Sequence, residues 1–183
     1  WNDPQGYLLT DQRHRLRAWA IYDIFRSEHN QLNVSLLQNY YSGTPYGAVG
    51  ALDDRAFVTN PGYVTPPARV TYYYTARDAF RTPTISSTDV SLNYSFLWNA
   101  FDKSIELFVQ PELLNIFNRD GVITPNVAIQ DSTTTGSLSK FNPFTTKPVE
   151  GVNWRKTATF GHGVNPGDFQ APRTFRFSVG FRF

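Results

Sequence analysis

Residues 173–183, R-T-F-R-F-S-V-G-F-R-F, alternate without a slip. Phe175, Phe177, Val179, Phe181 and Phe183 fall on one parity, and Thr174, Arg176, Ser178, Gly180 and Arg182 on the other. Successive side chains of a β-strand point to opposite faces, so period two marks an extended segment with one apolar and one polar face. A helix would scatter the same phenylalanines around its circumference. The fold must therefore give one face of this strand an apolar medium, either a protein core or lipid.

Four further segments show the same period. Residues 13–25 set Leu16, Ala18, Ala20, Tyr22 and Ile24 against Arg13, Arg15, Arg17 and Trp19. In residues 31–41, Leu32, Val34, Leu36 and Tyr40 oppose Asn33, Ser35 and Asn39, with Leu37 and Gln38 as exceptions. Residues 88–98 alternate Val90, Leu92, Tyr94 and Phe96 with Asp89, Ser91, Asn93 and Ser95. Residues 103–115 place Ile105, Leu107, Val109 and Leu113 opposite Glu106, Gln110 and Glu112. Pro111 interrupts this segment and, lacking an N–H, predicts a bulge or a local break in the ladder.

The connections between these segments alternate in length: 24–30 short, 42–87 long, 97–102 short, 116–172 long. Antiparallel membrane barrels have this rhythm, with tight periplasmic turns and large outer loops, and strands of about 9–11 residues cross a bilayer when tilted. The expected fold is all-β: an antiparallel transmembrane β-barrel segment, about five strands of a larger barrel, with two long extracellular loops. Within the first long loop, Val70, Tyr72 and Tyr74 alternate with Thr71 and Tyr73, which predicts a short hairpin inside residues 69–75.

Composition narrows the class. Hydrophobic residues make up 40% of the chain and no apolar run approaches the roughly 20 residues of a membrane helix, so a helical membrane protein is excluded. Twelve Gly, twelve Pro and 16% aromatic residues suit strands joined by turns. Cysteine is absent, leaving no disulfide framework or thiolate metal site. Methionine is absent too and the chain opens on Trp1-Asn2-Asp3-Pro4, from which a processed or truncated piece is expected. A net charge of +2 gives no argument for nucleic acid.

Several short motifs fall in one order at the strand boundaries: Asp11-Gln12-Arg13-His14, Ser42-Gly43-Thr44-Pro45-Tyr46, Arg81-Thr82-Pro83 followed by Asp89-Val90-Ser91-Leu92, Asn115-Ile116-Phe117-Asn118, and Pro172-Arg173. In this arrangement the chain resembles the C-terminal barrel of a TonB-dependent outer-membrane receptor, particularly the Oar-like group with a carboxypeptidase-regulatory-like domain. The resemblance spans nearly all of residues 1–183 and implies the C-terminal part of a receptor barrel, with the plug and the N-terminal strands absent. Full barrels of this type have about 22 strands. It implies an outer-membrane location in a Gram-negative-type bacterium and energy-coupled uptake of an external ligand, by a fragment that is not itself transport-competent. The implied partners are outer-membrane lipid, the remaining strands and plug, the TonB complex, the barrel-assembly machinery and an unidentified external ligand. The alternating tail ending in an aromatic resembles the signal read by that machinery, with Phe175, Phe177, Val179, Phe181 and Phe183 as its residues.

Two groups of side chains are candidates for binding. Arg13, Arg15 and Arg17 face a lumen in the barrel reading, where they attract anions or pair with acidic plug residues, or are simply solvated. Tyr63, Tyr72, Tyr73, Tyr74 and Trp154 sit in the long connections, where aromatic faces either stack on a ligand or pack the loops together. His14, His29 and His162 lack metal-ligand spacing, and Asp53-Asp54 and Asn118-Arg119-Asp120-Gly121 do not complete a calcium loop. No nucleophile or phosphate motif occurs, so neither an enzyme nor a cofactor is expected. Two other functions compete: a structural or interaction subunit of an envelope complex, and a soluble ligand-binding β-sandwich that buries the apolar faces between two sheets.

Overall fold

The computed structural model describes residues 5–59, 62, 64, 67–100 and 103–183. Its strands are β1 (Arg15–Arg26), β2 (Asn30–Tyr41), β3 (Pro45–Tyr46), β4 (Val49–Leu52), β5 (Val70–Tyr73), β6 (Phe80–Arg81), β7 (Ile85–Ala100), β8 (Lys103–Leu114), β9 (Ile129–Asp131), β10 (Trp154–Lys156) and β11 (Thr174–Arg182). The fold is all-β and antiparallel, and the chain divides into two units. One holds residues 13–42, 84–121 and 169–183; the other holds residues 1–12, 43–83 and 122–168.

The first unit is a five-stranded sheet in the order β1-β2-β7-β8-β11, a meander in which each long strand pairs with the next. These are the five segments expected from the alternation, with ends moved by at most three residues. Arg13 and His14 precede β1 instead of opening it. The sheet is open, with β1 and β11 as its edges among the described residues. Antiparallel pairing puts the tight turn at 27–29 at one end of the sheet, and the strand ends from which the two long connections leave at the other. Ser27 closes the first turn: its N–H and hydroxyl both donate to Asn30 O, at 2.7 and 3.2 Å.

Register determines what each face carries. Ala20 pairs with Leu36, Leu36 with Val90, Val90 with Leu113 and Leu113 with Phe175, an apolar row across all five strands. A second row runs Phe25, Leu32, Tyr94, Val109, Val179. On the other parity Ser35, Ser91, Glu112 and Arg176 lie in line, with Ser35 and Ser91 hydroxyls 2.6 Å apart. A slip of one residue in any pair would invert that strand's faces, so agreement across four pairings keeps one face mainly apolar and the other mainly polar, with Trp19, Ile21, Leu37 and Phe108 on the polar parity and Gln38 and Thr88 on the apolar one.

Two local details differ from simple alternation. The β1–β2 register shifts between Asp23 and Phe25, so Ile24 is the extra residue of a bulge and Phe25, not Ile24, takes the apolar position opposite Leu32. At Pro111 the ladder to β7 is interrupted between the Ser91–Glu112 and Tyr94–Val109 pairs, yet the register is the same on both sides. The missing N–H removes bonds without inserting a residue, so of the two outcomes expected at Pro111 the break occurs and the bulge does not.

The second unit contains the three small sheets β3–β6, β4–β5 and β9–β10. Residues 70–73 form one strand paired with Val49–Leu52. The hairpin expected inside residues 69–75 is therefore corrected to a strand with a distant partner, whose V-G-A-L sequence is too short and small to show alternation. Ala48, Leu52, Tyr72, Tyr74, Ile129, Phe141 and Trp154 make its core. Among the described residues, every fully buried hydrophobic side chain belongs to this unit and none to the five-stranded sheet.

Candidate functional site

The sheet presents two chemically opposed faces. On the apolar parity Leu16 and Tyr22 of β1, Leu36 and Tyr40 of β2, Leu92, Tyr94, Phe96 and Trp98 of β7, Leu107 and Leu113 of β8 and the β11 side chains are all exposed. Exposure of Phe175, Phe177, Val179, Phe181 and Phe183 runs from 60% to 91%. Monomers in water rarely leave apolar patches beyond a few hundred Å², and larger ones mark interaction surfaces. The Phe181 and Phe183 rings stack at 6.1 Å between centroids.

On the polar parity, a Cβ at Gly180 would lie 2.7 Å from the Phe108 ring, so the glycine makes room for Phe108 on the neighbouring strand. Arg182 covers the same ring, its guanidinium carbon 4.8 Å from the centroid, and reaches Glu106 at 3.4 Å. Of the three candidate arginines, Arg15 lies 5.8 Å over the Tyr41 ring and Arg17 stands opposite Asn39. All three, Arg13 included, are exposed. They share a stretch of chain and stand exposed along it.

Arg81 donates to the Asp11 carboxylate, and its other terminal nitrogen donates to Gly43 O at 2.7 Å. Both side chains of this ion pair are about three-quarters buried, at 28% and 27% exposure. A Cβ at Gly43 would fall 1.7 Å from Thr82 O, a separation no side chain tolerates. Thr44 N–H donates to Thr82 Oγ1 at 2.9 Å. Within the sheet unit, Asn115 N–H donates to Asp89 Oδ1 at 2.8 Å. The Asn115 amide donates to Arg119 O and Ala171 O, each at 2.8 Å, while its Oδ1 accepts from Arg119 N–H at 3.0 Å. Asn118 Oδ1 accepts from Arg173 N–H at 2.9 Å. Asn115 and Asn118 both have φ 49°, a conformation Asn tolerates better than most residues. The boundary motifs are thus the residues that tie chain segments together where long strands give way to loops. Their order along the sequence is the signal that marks them, and ligand chemistry gives none.

The loop aromatics are placed differently from one another. Tyr72, Tyr74 and Trp154 are buried, and Phe141 completes the cluster. Tyr72 and Tyr74 meet edge to face at 5.0 Å, and Tyr74 lies 5.5 Å from Trp154. Their ring faces are occupied by one another. Burial, then the neighbouring Asp131, pushes the Tyr74 phenol well above its ordinary range, so it stays neutral. Tyr63 lies outside the described residues. Tyr73 lines a cleft of about 290 Å³, with Tyr7, Leu8, Leu9, Thr10, Tyr46, Gly47, Val49, Arg77 and Val127 as its other lining residues. Gly47 is required in its floor, since a Cβ there would sit 2.4 Å from Ala76 O.

Compared with models of protein families, with curated proteins and with solved structures, the chain matches none.

Ligation of a metal has no candidate geometry: among the described residues no three of His, Asp and Glu come together. Asp53 is held by Arg55, whose guanidinium hydrogen bond brings the carboxyl down to about 2. The turn here is residues 115–118, closed by Asn118 N–H donating to Asn115 O at 2.8 Å, and residues 119–121 are irregular. What the arrangement does offer chemically is a sheet whose two faces differ in polarity, and a loop unit with its own packed core and an apolar cleft.

Proposed function

We propose that these 183 residues form part of the wall and outer loops of an outer-membrane β-barrel receptor of the TonB-dependent kind, which takes up an external ligand. The observation that carries this reading is the register-matched apolar face of five strands, with most of its large side chains exposed, opposite a face dominated by Ser, Asn, Gln, Glu and Arg that also carries Trp19, Ile21, Leu37 and Phe108. Lipid is the medium that suits the first face, and a water-filled or plugged lumen suits the second. A backbone crossing lipid must satisfy its hydrogen bonds internally, which a β-sheet achieves only by closing. The edges of β1 and β11 therefore call for further strands of the same receptor.

The two long connections leave the same end of the sheet, as outer loops do, and their residues supply the buried core of the loop unit. A folded loop unit is what recognition of an external ligand needs, since the binding groups must be held in place before the ligand arrives. Energy coupling would be supplied by a plug and the TonB complex, and insertion by assembly machinery reading the β11 aromatics through Phe183. A sandwich would hide the apolar face that is exposed here.

Expression of the full-length protein in a Gram-negative host tests the proposal. Recovery in the outer-membrane fraction, with the heat-dependent gel mobility of a folded barrel, is the expected result. Recovery as a monomer in the soluble fraction would overturn it.

A further inference from the structure

We propose that the cleft beside Tyr73 binds a small hydrophobic carboxylate, whose acid group pairs with Arg77 and whose apolar body lies against Leu8, Leu9, Tyr46, Val49 and Val127. The inference rests on the receptor reading insofar as it names a ligand class for the proposed outer loops. The binding chemistry itself is carried by the cleft.

Three observations converge there. The cleft is mostly apolar, and its volume of about 290 Å³ falls at the small end of ligand pockets, which run from about 300 Å³ upward. Arg77 stands in its wall with its guanidinium 4.6 Å from the Tyr73 ring centroid, a stacking that fixes the plane and leaves the edge to meet an acceptor. The Arg77 Nε is buried and has no hydrogen-bond acceptor, and no carboxylate of the described residues pairs with the side chain. The Nε is closed to a ligand, so a carboxylate in the cleft would meet the terminal guanidinium nitrogens and supply the opposite charge. Tyr72 and Tyr74, by contrast, have their faces filled by the loop core, so Tyr73 is the member of the Tyr triplet whose environment suits a ligand.

The test is equilibrium binding of 4-phenylbutyrate to the purified full-length protein, in nanodiscs if it is recovered from membranes and in plain buffer if it is recovered soluble, read by saturation-transfer NMR and calorimetry, with 4-phenylbutyramide as the uncharged counterpart. The acid is expected to bind at least about tenfold more tightly than the amide, the value of one charge-assisted hydrogen bond. Arg77→Gln should remove that preference. Leu8→Asp, at a side chain 60% exposed, should weaken the acid more than the amide while leaving the fold intact. Equal binding of acid and amide to the unaltered protein, or no binding of either, overturns the assignment whatever the variants do. Because binding is measured on purified protein, the cleft can fail this test while membrane recovery succeeds, and it can pass while membrane recovery fails.

Discussion

Replacing Asn115 should destabilise the protein in a graded way that separates backbone conformation from hydrogen bonding. The side chain is 4% exposed and makes three hydrogen bonds, two from its amide to Arg119 O and Ala171 O and one from Arg119 N–H to its Oδ1. At about 1 kcal/mol net for each, Asn115→Gly should cost about 3 kcal/mol while leaving the φ of 49° free of strain. Asn115→Ala loses the same bonds and adds about 1 kcal/mol for a Cβ in the left-handed region, about 4 kcal/mol in total. Asn115→Asp keeps the acceptor for Arg119 N–H but turns a carboxylate oxygen toward two carbonyls, and should fall below Asn115→Ala. Urea unfolding of the full-length protein in lipid vesicles, followed by gel mobility, gives the three values. If Gly and Ala cost the same and both stay under about 1 kcal/mol, the junction is not held by this side chain and the reasoning fails.

Three other outcomes are expected. Val179→Arg, on the apolar parity in the interior of β11, should destabilise the protein in bilayers by about 2–4 kcal/mol, whereas Ser178→Arg beside it should be nearly neutral; comparable effects in the same vesicle assay would remove the distinction between faces. Gly180→Leu should clash with Phe108 and cost about 1–3 kcal/mol, and adding Phe108→Ala should recover most of it; independent, additive losses would rule out the contact. Asp168 is held below its ordinary value by accepting the Asn165 and Val164 N–H groups. A lowered folded pKa gives stability that is present above the unfolded value of about 3.9 and is lost as pH falls through the folded one. Amide exchange at Val164 and Asn165 should therefore quicken, relative to other loop amides, below about pH 4, a response absent in Asp168→Asn.

The sheet was legible because its signal is local. Alternation along residues 13–25 or 173–183 needs no partner to be seen, and it located all five long strands to within a few residues. The bulge at Ile24 was not legible, because it arises from the β1–β2 register and leaves no Gly or Pro behind. The loop unit was hidden for a related reason: β3 and β6 have two residues each, and β4 pairs with β5 across seventeen intervening residues. Periodicity cannot emerge from strands that short. Among the candidate side chains, composition marked Tyr72, Tyr73 and Tyr74 alike, whereas their environments are set by strand parity, which buries the first and third together. Arg77 carried no sequence signal, since an unpartnered guanidinium is defined by what surrounds it in space.

The central claim is that one face of the sheet meets lipid and the other meets water, and nitroxide scanning of residues 174–182 tests it most directly. This chain has no cysteine of its own, so each introduced one labels a single position. In bilayers, labels at 175, 177, 179 and 181 should collide readily with oxygen and little with an aqueous nickel complex, while those at 174, 176, 178 and 182 should show the reverse. Period-two alternation in opposite phase for the two reagents is the predicted result. Uniform access to the nickel complex, or immobile labels shielded from both reagents at the phenylalanine positions, would contradict it.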